Sequence, residues 1–119
     1  MSSVLVVDDH PTFRRFARQM LTEAGFDVIG EASDGETALA LTRSLQPELV
    51  LLDVLLPDVS GISLAHSLAE LPHPPLVVLT SSRSALDLGV TLRDAPMRGF
   101  IPKNVLTADA FSALVGREP

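Results

Sequence analysis

Five short runs of apolar residues, rich in Val and Leu, recur along the chain. They are Val4–Val7, Val28–Ala32, Leu49–Leu52, Leu76–Leu79 and Gly99–Ile101. Near-continuous apolar runs of this length are typical of strands that are covered on both faces, as the strands of a parallel sheet are. Each run is therefore predicted to be a strand of one parallel sheet.

Segments with apolar residues at helical spacing separate and follow these runs. Their apolar faces lie within Phe13–Ala24, Ala38–Leu45, Ile62–Leu71, a weaker Ser84–Arg93, and Leu106–Val115. Pro11 suits the first turn of the first helix, Gly25 its end, and Ser60 the cap of the third. Five alternations of strand and helix predict an α/β fold, a doubly wound five-stranded parallel sheet with five helices on its two faces.

Length and composition narrow the class of protein. The chain has 119 residues, which suits a single domain over residues 1–119, and it has no Cys that could form a disulfide or a thiolate metal site. The N-terminus lacks the basic region of a signal peptide, and no apolar run could span a membrane, so a cytoplasmic location is expected. The net charge of −6 argues against direct nucleic-acid binding.

Chemically active side chains follow four of the five predicted strands. Asp8 and Asp9 follow the first, Asp53 the third, Thr80 the fourth, and Lys103 the fifth. A single Asp or Thr at such a place is usually a helix cap. Ligands of open parallel sheets nevertheless bind at the carboxyl ends of the strands, so these five side chains are expected to meet at one edge.

Three carboxylates gathered at one place repel one another unless a cation is present. Oxygen ligands without Cys or clustered His favour Mg²⁺, a common partner of phosphoryl groups. Thr80 and Lys103, the only lysine of the chain, could then contact phosphoryl oxygens, and Asp53 could act as the nucleophile that forms an aspartyl phosphate.

The stretches LVVDDHPTFRR, ELVLLDVLLPDVSG, PLVVLTSS and GFIPK resemble the receiver domains of two-component response regulators, over nearly the whole chain. The first and last stretches are most similar to receivers that precede LuxR-type output domains. Pro57 and Gly61 also follow Asp53 at the offsets of the family pattern. The resemblance implies a flavodoxin-like fold with strand order 2-1-3-4-5.

The resemblance also implies a role for each residue of the site. Asp53 would accept a phosphoryl group from a histidine kinase or a phosphotransfer protein. Mg²⁺ would be held by carboxylates and one backbone carbonyl, namely Asp8, Asp9, Asp53 and Leu55 (carbonyl). Lys103 would pair with the phosphoryl group, and Thr80 would be the switch hydroxyl. Phe100 matches the switch aromatic, with an ordinary core residue as the alternative.

On this resemblance the domain is a signalling phosphoacceptor rather than an enzyme. Its phosphorylation would change a surface made by the fourth helix, the fifth strand and the fifth helix. That surface would control an output domain or a downstream protein and could mediate a homodimer. The chain is then either a stand-alone receiver or part of a longer regulator.

Some positions differ from the family pattern, and others are positions that vary within the family. Asn104 stands after Lys103 where Pro is common, and the stretch 93–98 is unusual, which puts the shape of the output surface in doubt. Leu55 and Ser82 occupy the two variable positions beside the phosphoryl site. Because an apolar Leu55 cannot orient water, slow loss of the phosphoryl group is expected.

Other readings of the same residues remain open. A metal-dependent phosphohydrolase would need an acid at position 55, an unphosphorylated module would not need the intact site, and a nucleotide-binding protein would need a glycine-rich phosphate loop. Asp58 is interpreted as a solvated turn residue, and a metal role for His10, His66 or His73 receives little weight. The basic group Arg14, Arg15 and Arg18 is a solvated face or a kinase-docking surface.

Overall fold

A computed structural model describes residues 2–82 and 95–116 of the chain. Its strands are β1 (Ser3–Val7), β2 (Asp27–Ala32), β3 (Leu49–Asp53), β4 (Leu76–Ser81) and β5 (Gly99–Pro102). The α-helices in these ranges are α1 (Pro11–Glu23), α2 (Gly35–Leu45), α3 (Gly61–Ala69) and α4 (Ala108–Leu114), and a 3₁₀ turn covers Lys103–Val105. The predicted fourth helix, Ser84–Arg93, lies outside the described residues.

All five predicted strands form one parallel sheet in the order β2-β1-β3-β4-β5. This is the flavodoxin-like order implied by the resemblance, and it places β3 at the centre of the sheet, between β1 and β4. In the described part of the chain, no helix has the length and apolar character needed to cross a membrane.

Alternating side chains of the central strands build two separate cores. Val4 and Val6 of β1 pack on the face covered by α1 and α4, whereas Leu5 and Val7 pack on the opposite face, under α2 and α3. Each of these side chains is almost fully buried, and each such burial stabilises the fold by about 1.5–3 kcal/mol. Both faces of the strands are therefore packed in a core, which holds the ends of the strands in fixed positions.

Side-chain caps determine where three of the helices begin. Ser60 accepts a hydrogen bond from Ile62 N at 3.1 Å, so its predicted cap role is confirmed. Asp34 caps α2 through Thr37 N. The last helix begins later than its apolar pattern predicted, because Thr107 caps it through Ala110 N at 3.1 Å and Leu106 is buried before its first turn.

Candidate functional site

The carboxyl ends of the central strands bring the predicted residues to one edge of the sheet. Asp8 follows β1 directly, and Asp53 is the last residue of β3. Asp53 is also the direct register partner of Thr80 on β4. Because the strands are parallel, their carboxyl ends share one edge, and the site is assembled at the ends of different strands.

Lys103 reaches both buried carboxylates of this edge. Its Nζ lies 2.7 Å from Asp8 Oδ2 and 3.5 Å from Asp53 Oδ2. Asp8 is 0% exposed and Asp53 is 2% exposed. The predicted meeting of acidic and cationic side chains from separate segments is therefore present in the structure.

The Thr80 hydroxyl is at the same edge but points toward β5. It is fully buried and donates a hydrogen bond of 2.6 Å to the carbonyl of Ile101. Phe100 is half-buried and packs against the core under α2 and α3. Thr80 is thus beside Asp53 in register, while its hydroxyl is bonded to the neighbouring strand.

The acidic group at this edge has the composition of a divalent-cation site. One ligand atom from each of Asp8, Asp9, His10 and Asp53 lies within 4.8 Å of the others. Asp8 Oδ2 is buried and is ion-paired with the Lys103 ammonium at 2.7 Å. A group that holds three carboxylates, two of them buried, fits a hard cation such as Mg²⁺.

His10 belongs to this group, although sequence reasoning gave it little weight. Its Nδ1 lies 3.2 Å from Asp8 Oδ1 and 3.1 Å from Asp9 Oδ1, and its backbone N–H donates to Asp8 Oδ1 at 2.9 Å. No second histidine stands at ligand spacing from His10 in the sequence, and its neighbours in the site are the two acids directly before it. His66 and His73 are not part of the group.

The pKa of Asp53 is raised to about 6, mainly by burial and next by the negative charge of Asp8. The Lys103 ammonium and the Leu55 backbone N–H, 3.3 Å from Asp53 Oδ1, act in the opposite direction. The ionised carboxylate is therefore held at a free-energy cost that added positive charge would reduce.

A glycine allows the loop after Asp53 to close tightly. Gly61 N donates to Val54 O at 2.7 Å, and a Cβ at position 61 would lie 2.2 Å from the Asp53 backbone carbonyl oxygen. Within this loop, Leu55 forms a bridge with Ser60 and its side chain is exposed. The role of the Leu55 carbonyl as a metal ligand stays a prediction.

Asp58 lies exposed in a bend, as interpreted, but it also has a structural role that the sequence did not predict. Its carboxylate is exposed but accepts hydrogen bonds from Gly35 N at 2.8 Å and Glu36 N at 3.1 Å. The Gly35 bond is the main cause of the lowered pKa of Asp58. Asp58 thus ties the loop that follows Asp53 to the first turn of α2, a contact across 22 residues or more that no local pattern signals.

Arg14 supports the loop that carries the acid pair. It donates to the Asp8 backbone carbonyl at 2.6 Å and to Glu31 Oε1 at 3.2 Å. Arg18 pairs with the other oxygen of Glu31 at 2.6 Å, whereas Arg15 is exposed. Two of the three arginines therefore join α1 to β2, which neither interpretation of the basic group anticipated.

The chain is similar to known proteins over nearly its whole length. Residues 4–115 match the family model of the response regulator receiver domain. The transcriptional regulatory protein PdtaR of Mycobacterium tuberculosis is 35% identical over 111 residues, which cover 93% of this chain and 54% of that protein. The nitrate/nitrite response regulator NarL of Escherichia coli is 32% identical over 114 residues, covering 95% and 53% respectively.

A solved structure shows the same similarity in three dimensions. The signal receiver domain of a response regulator, NarL, from Mycobacterium tuberculosis superposes with a TM-score of 0.85 at 30% identity, and the match covers 98% of each chain. The present chain spans about half the length of the curated relatives that it matches.

The raised pKa of Asp53 predicts how stability depends on pH. The folded chain holds the Asp53 proton more tightly than the unfolded chain does, so stability falls as pH rises from about 4 through about 6. Asp53→Asn is therefore expected to raise the free energy of unfolding by about 2 kcal/mol at pH 7.5 with a chelator present, and by less at pH 4.5. Urea titrations at both pH values measure this.

Asp27→Asn is the matched control, since Asp27 is exposed at the start of β2, away from the site. It is expected to leave the pH dependence of stability unchanged. An Asp53→Asn gain that is equal at both pH values would contradict the assignment of the cost to the ionised carboxylate.

Gly61→Ala is expected to destabilise the fold by about 3 kcal/mol, because the new Cβ would collide with backbone at Asp53 and Val54, which cannot rotate away. Gly30→Ala is the control, since its Cβ would contact only side-chain atoms, the nearest at 3.2 Å. Thermal unfolding of both variants tests the difference. Equal losses of stability in the two variants would show that the collision with the Asp53 backbone is not the cause.

Proposed function

Because the chain belongs to the family of response regulator receiver domains, we propose that it takes a phosphoryl group from a histidine kinase onto Asp53. A phosphotransfer protein is the alternative donor. The observation that carries the proposal is the joint approach of Lys103 to Asp8 and Asp53, two buried carboxylates from different strands. A purely structural edge of a sheet would not need two carboxylates at this degree of burial.

Asp8, Asp9, Asp53 and the Leu55 carbonyl are the proposed ligands of Mg²⁺, which would supply positive charge to the phosphoryl oxygens. The close approach of the Asp8, Asp9 and Asp53 carboxylates, two of which are buried, supports the assignment of these three residues. In the transfer, a carboxylate oxygen of Asp53 bonds to phosphorus while the bond from phosphorus to the donor's imidazole nitrogen breaks. Lys103 contacts the oxygens that carry the developing charge.

Thr80 and Phe100 are the proposed switch residues. The Thr80 hydroxyl donates to Ile101 O, and it would exchange this bond for one to a phosphoryl oxygen on Asp53. Phe100 lies on the neighbouring strand and is half-buried, so an inward turn would bury more of its ring. The two states of the switch would have the Thr80 hydroxyl bonded either to Ile101 O or to the phosphoryl group. Phosphorylation would shift the balance between them only as far as the phosphoryl group interacts differently with the two states.

The proposed output surface contains β5 and α4, together with the predicted fourth helix, which lies outside the described residues. Arg98, next to β5, donates to the carbonyl of Leu114 near the end of α4 at 2.7 Å, so the two elements are joined there. We propose that residues 1–119 form a single receiver domain in the cytoplasm, whose output surface controls an output domain or a downstream protein or mediates a homodimer. The net charge of −6 supports regulation through such a partner rather than direct contact with nucleic acid.

Incubation with Mg²⁺ and acetyl phosphate tests the proposal directly. The wild type is expected to gain the mass of one phosphoryl group, since Asp53 is the proposed nucleophile, and Asp53→Asn is expected to gain none. Intact mass spectrometry measures both. Asp27→Asn is the control for loss of an acid elsewhere and should react like the wild type. If Asp53→Asn also gained the mass of a phosphoryl group, the acceptor would be another residue.

The apolar side chain of Leu55 is expected to lengthen the lifetime of the phosphorylated state. A polar side chain here could orient water toward the phosphorus, so Leu55→Asn is expected to speed loss of the phosphoryl group about tenfold. The decay of the added mass with time measures the rate. Leu76→Asn is the matched control, because Leu76 has the same 46% exposure as Leu55 but lies at the opposite end of the sheet. Equal decay in all three proteins would refute the role of Leu55.

A further inference from the structure

The Lys103 ammonium has a third partner, which is an aromatic ring. Its Nζ lies 4.4 Å from the centroid of the Phe13 ring, over the face of that ring. The two carboxylate contacts are made to Asp8 Oδ2 and Asp53 Oδ2. An ammonium this close to a ring face is attracted by the negative charge density of the π-system.

The position of Lys103 in the fold explains why a third contact matters. The residue opens a short 3₁₀ turn at the end of β5, and its four-carbon side chain has many rotamers. Asp8, its nearest carboxylate, is also a proposed ligand of a divalent cation. That cation would compete with the Lys103 ammonium for the Asp8 carboxylate. The Phe13 ring attracts the ammonium without belonging to that ligand group.

Phe13 is itself held in place on α1. It packs against the core formed under α1 and α4, and its ring lies 6.0 Å from that of Phe16 at an angle of 49°. A well-packed ring presents a fixed surface to the ammonium. The neighbouring Phe16 is about half exposed, and among the described residues the cation–π contact of Lys103 is with Phe13 and not with Phe16.

We propose that Phe13 is a positioning residue, which holds the Lys103 ammonium against the edge of the sheet through a cation–π contact. This inference rests on the proposed function of Asp53 for its consequence, because a well-placed Lys103 speeds phosphoryl transfer. The contact itself does not depend on that function. The two can therefore be tested separately.

The first experiment detects the contact without any reaction. Because Lys103 is the only lysine, a protein labelled with ¹³C-lysine gives one set of side-chain NMR signals. The ring face is expected to shift the Lys103 Hε signal upfield in the wild type. Phe13→Leu should abolish the upfield shift, Phe13→Trp should restore it, and Phe16→Leu should leave it in place. An Hε signal at the position of a free lysine in the wild type would overturn the proposal.

The second experiment asks whether the contact assists phosphorylation. Mono-, di- and trifluorinated phenylalanine at position 13 weaken the π-charge in steps while keeping the shape of the ring. The rate of phosphorylation by acetyl phosphate with Mg²⁺ is expected to fall stepwise, by about threefold to tenfold in all. The same series at position 16 is the control and should leave the rate unchanged.

The outcomes separate the two claims. A rate that does not change along the position 13 series, in a protein that is phosphorylated, would refute the positioning role and leave the proposed function standing. A wild type that is not phosphorylated at all would refute the proposed function. The NMR signal of Lys103 would then still decide whether the ring contact exists.

Discussion

Asp8 and Asp53 place two carboxylates side by side at the edge of the sheet, almost completely removed from water. Repulsion between like charges in such an environment is strong, and the removal of each charge from water adds a further cost. Lys103 offsets part of this cost by contacting both groups. The pKa of Asp53 is still raised to about 6, so the compensation is incomplete, and this leaves the edge suited to a further cation.

The surrounding structure serves to hold these charges where they would otherwise move apart. Both faces of β1 and β3 are anchored in separate cores, so their ends cannot shift along the sheet. Arg14 binds the carbonyl of Asp8, and Asp58 fixes the loop after Asp53 to the first turn of α2. Gly61 permits that loop to lie directly against the Asp53 backbone. Stability supplied by the cores is thus available to maintain an unfavourable group of charges at the edge.

Local patterns predicted some features well and others poorly, for physical reasons. Strands such as β1 were predicted to within two residues, since a run buried on both faces must be apolar throughout. The start of the last helix was misplaced because Leu106 is apolar for packing rather than for helical periodicity, and the cap at Thr107 decided the boundary. The tie between Asp58 and α2 was not predicted, because its partners are distant in the chain and a single acid in a loop carries no sign of them.

The sequence by itself determined the order of strands and helices and the residue types that end each strand. These follow from hydrophobic periodicity and from the rule that parallel strands end at a common edge, both of which depend only on chain order. The tertiary structure alone decided which atoms meet: the Lys103 contact with Asp8, the Thr80 bond to Ile101, the entry of His10 into the acidic group, and the ring of Phe13 under the ammonium. Such contacts depend on side-chain directions and on distances of a few ångströms between distant segments, which emerge only when the two cores have packed.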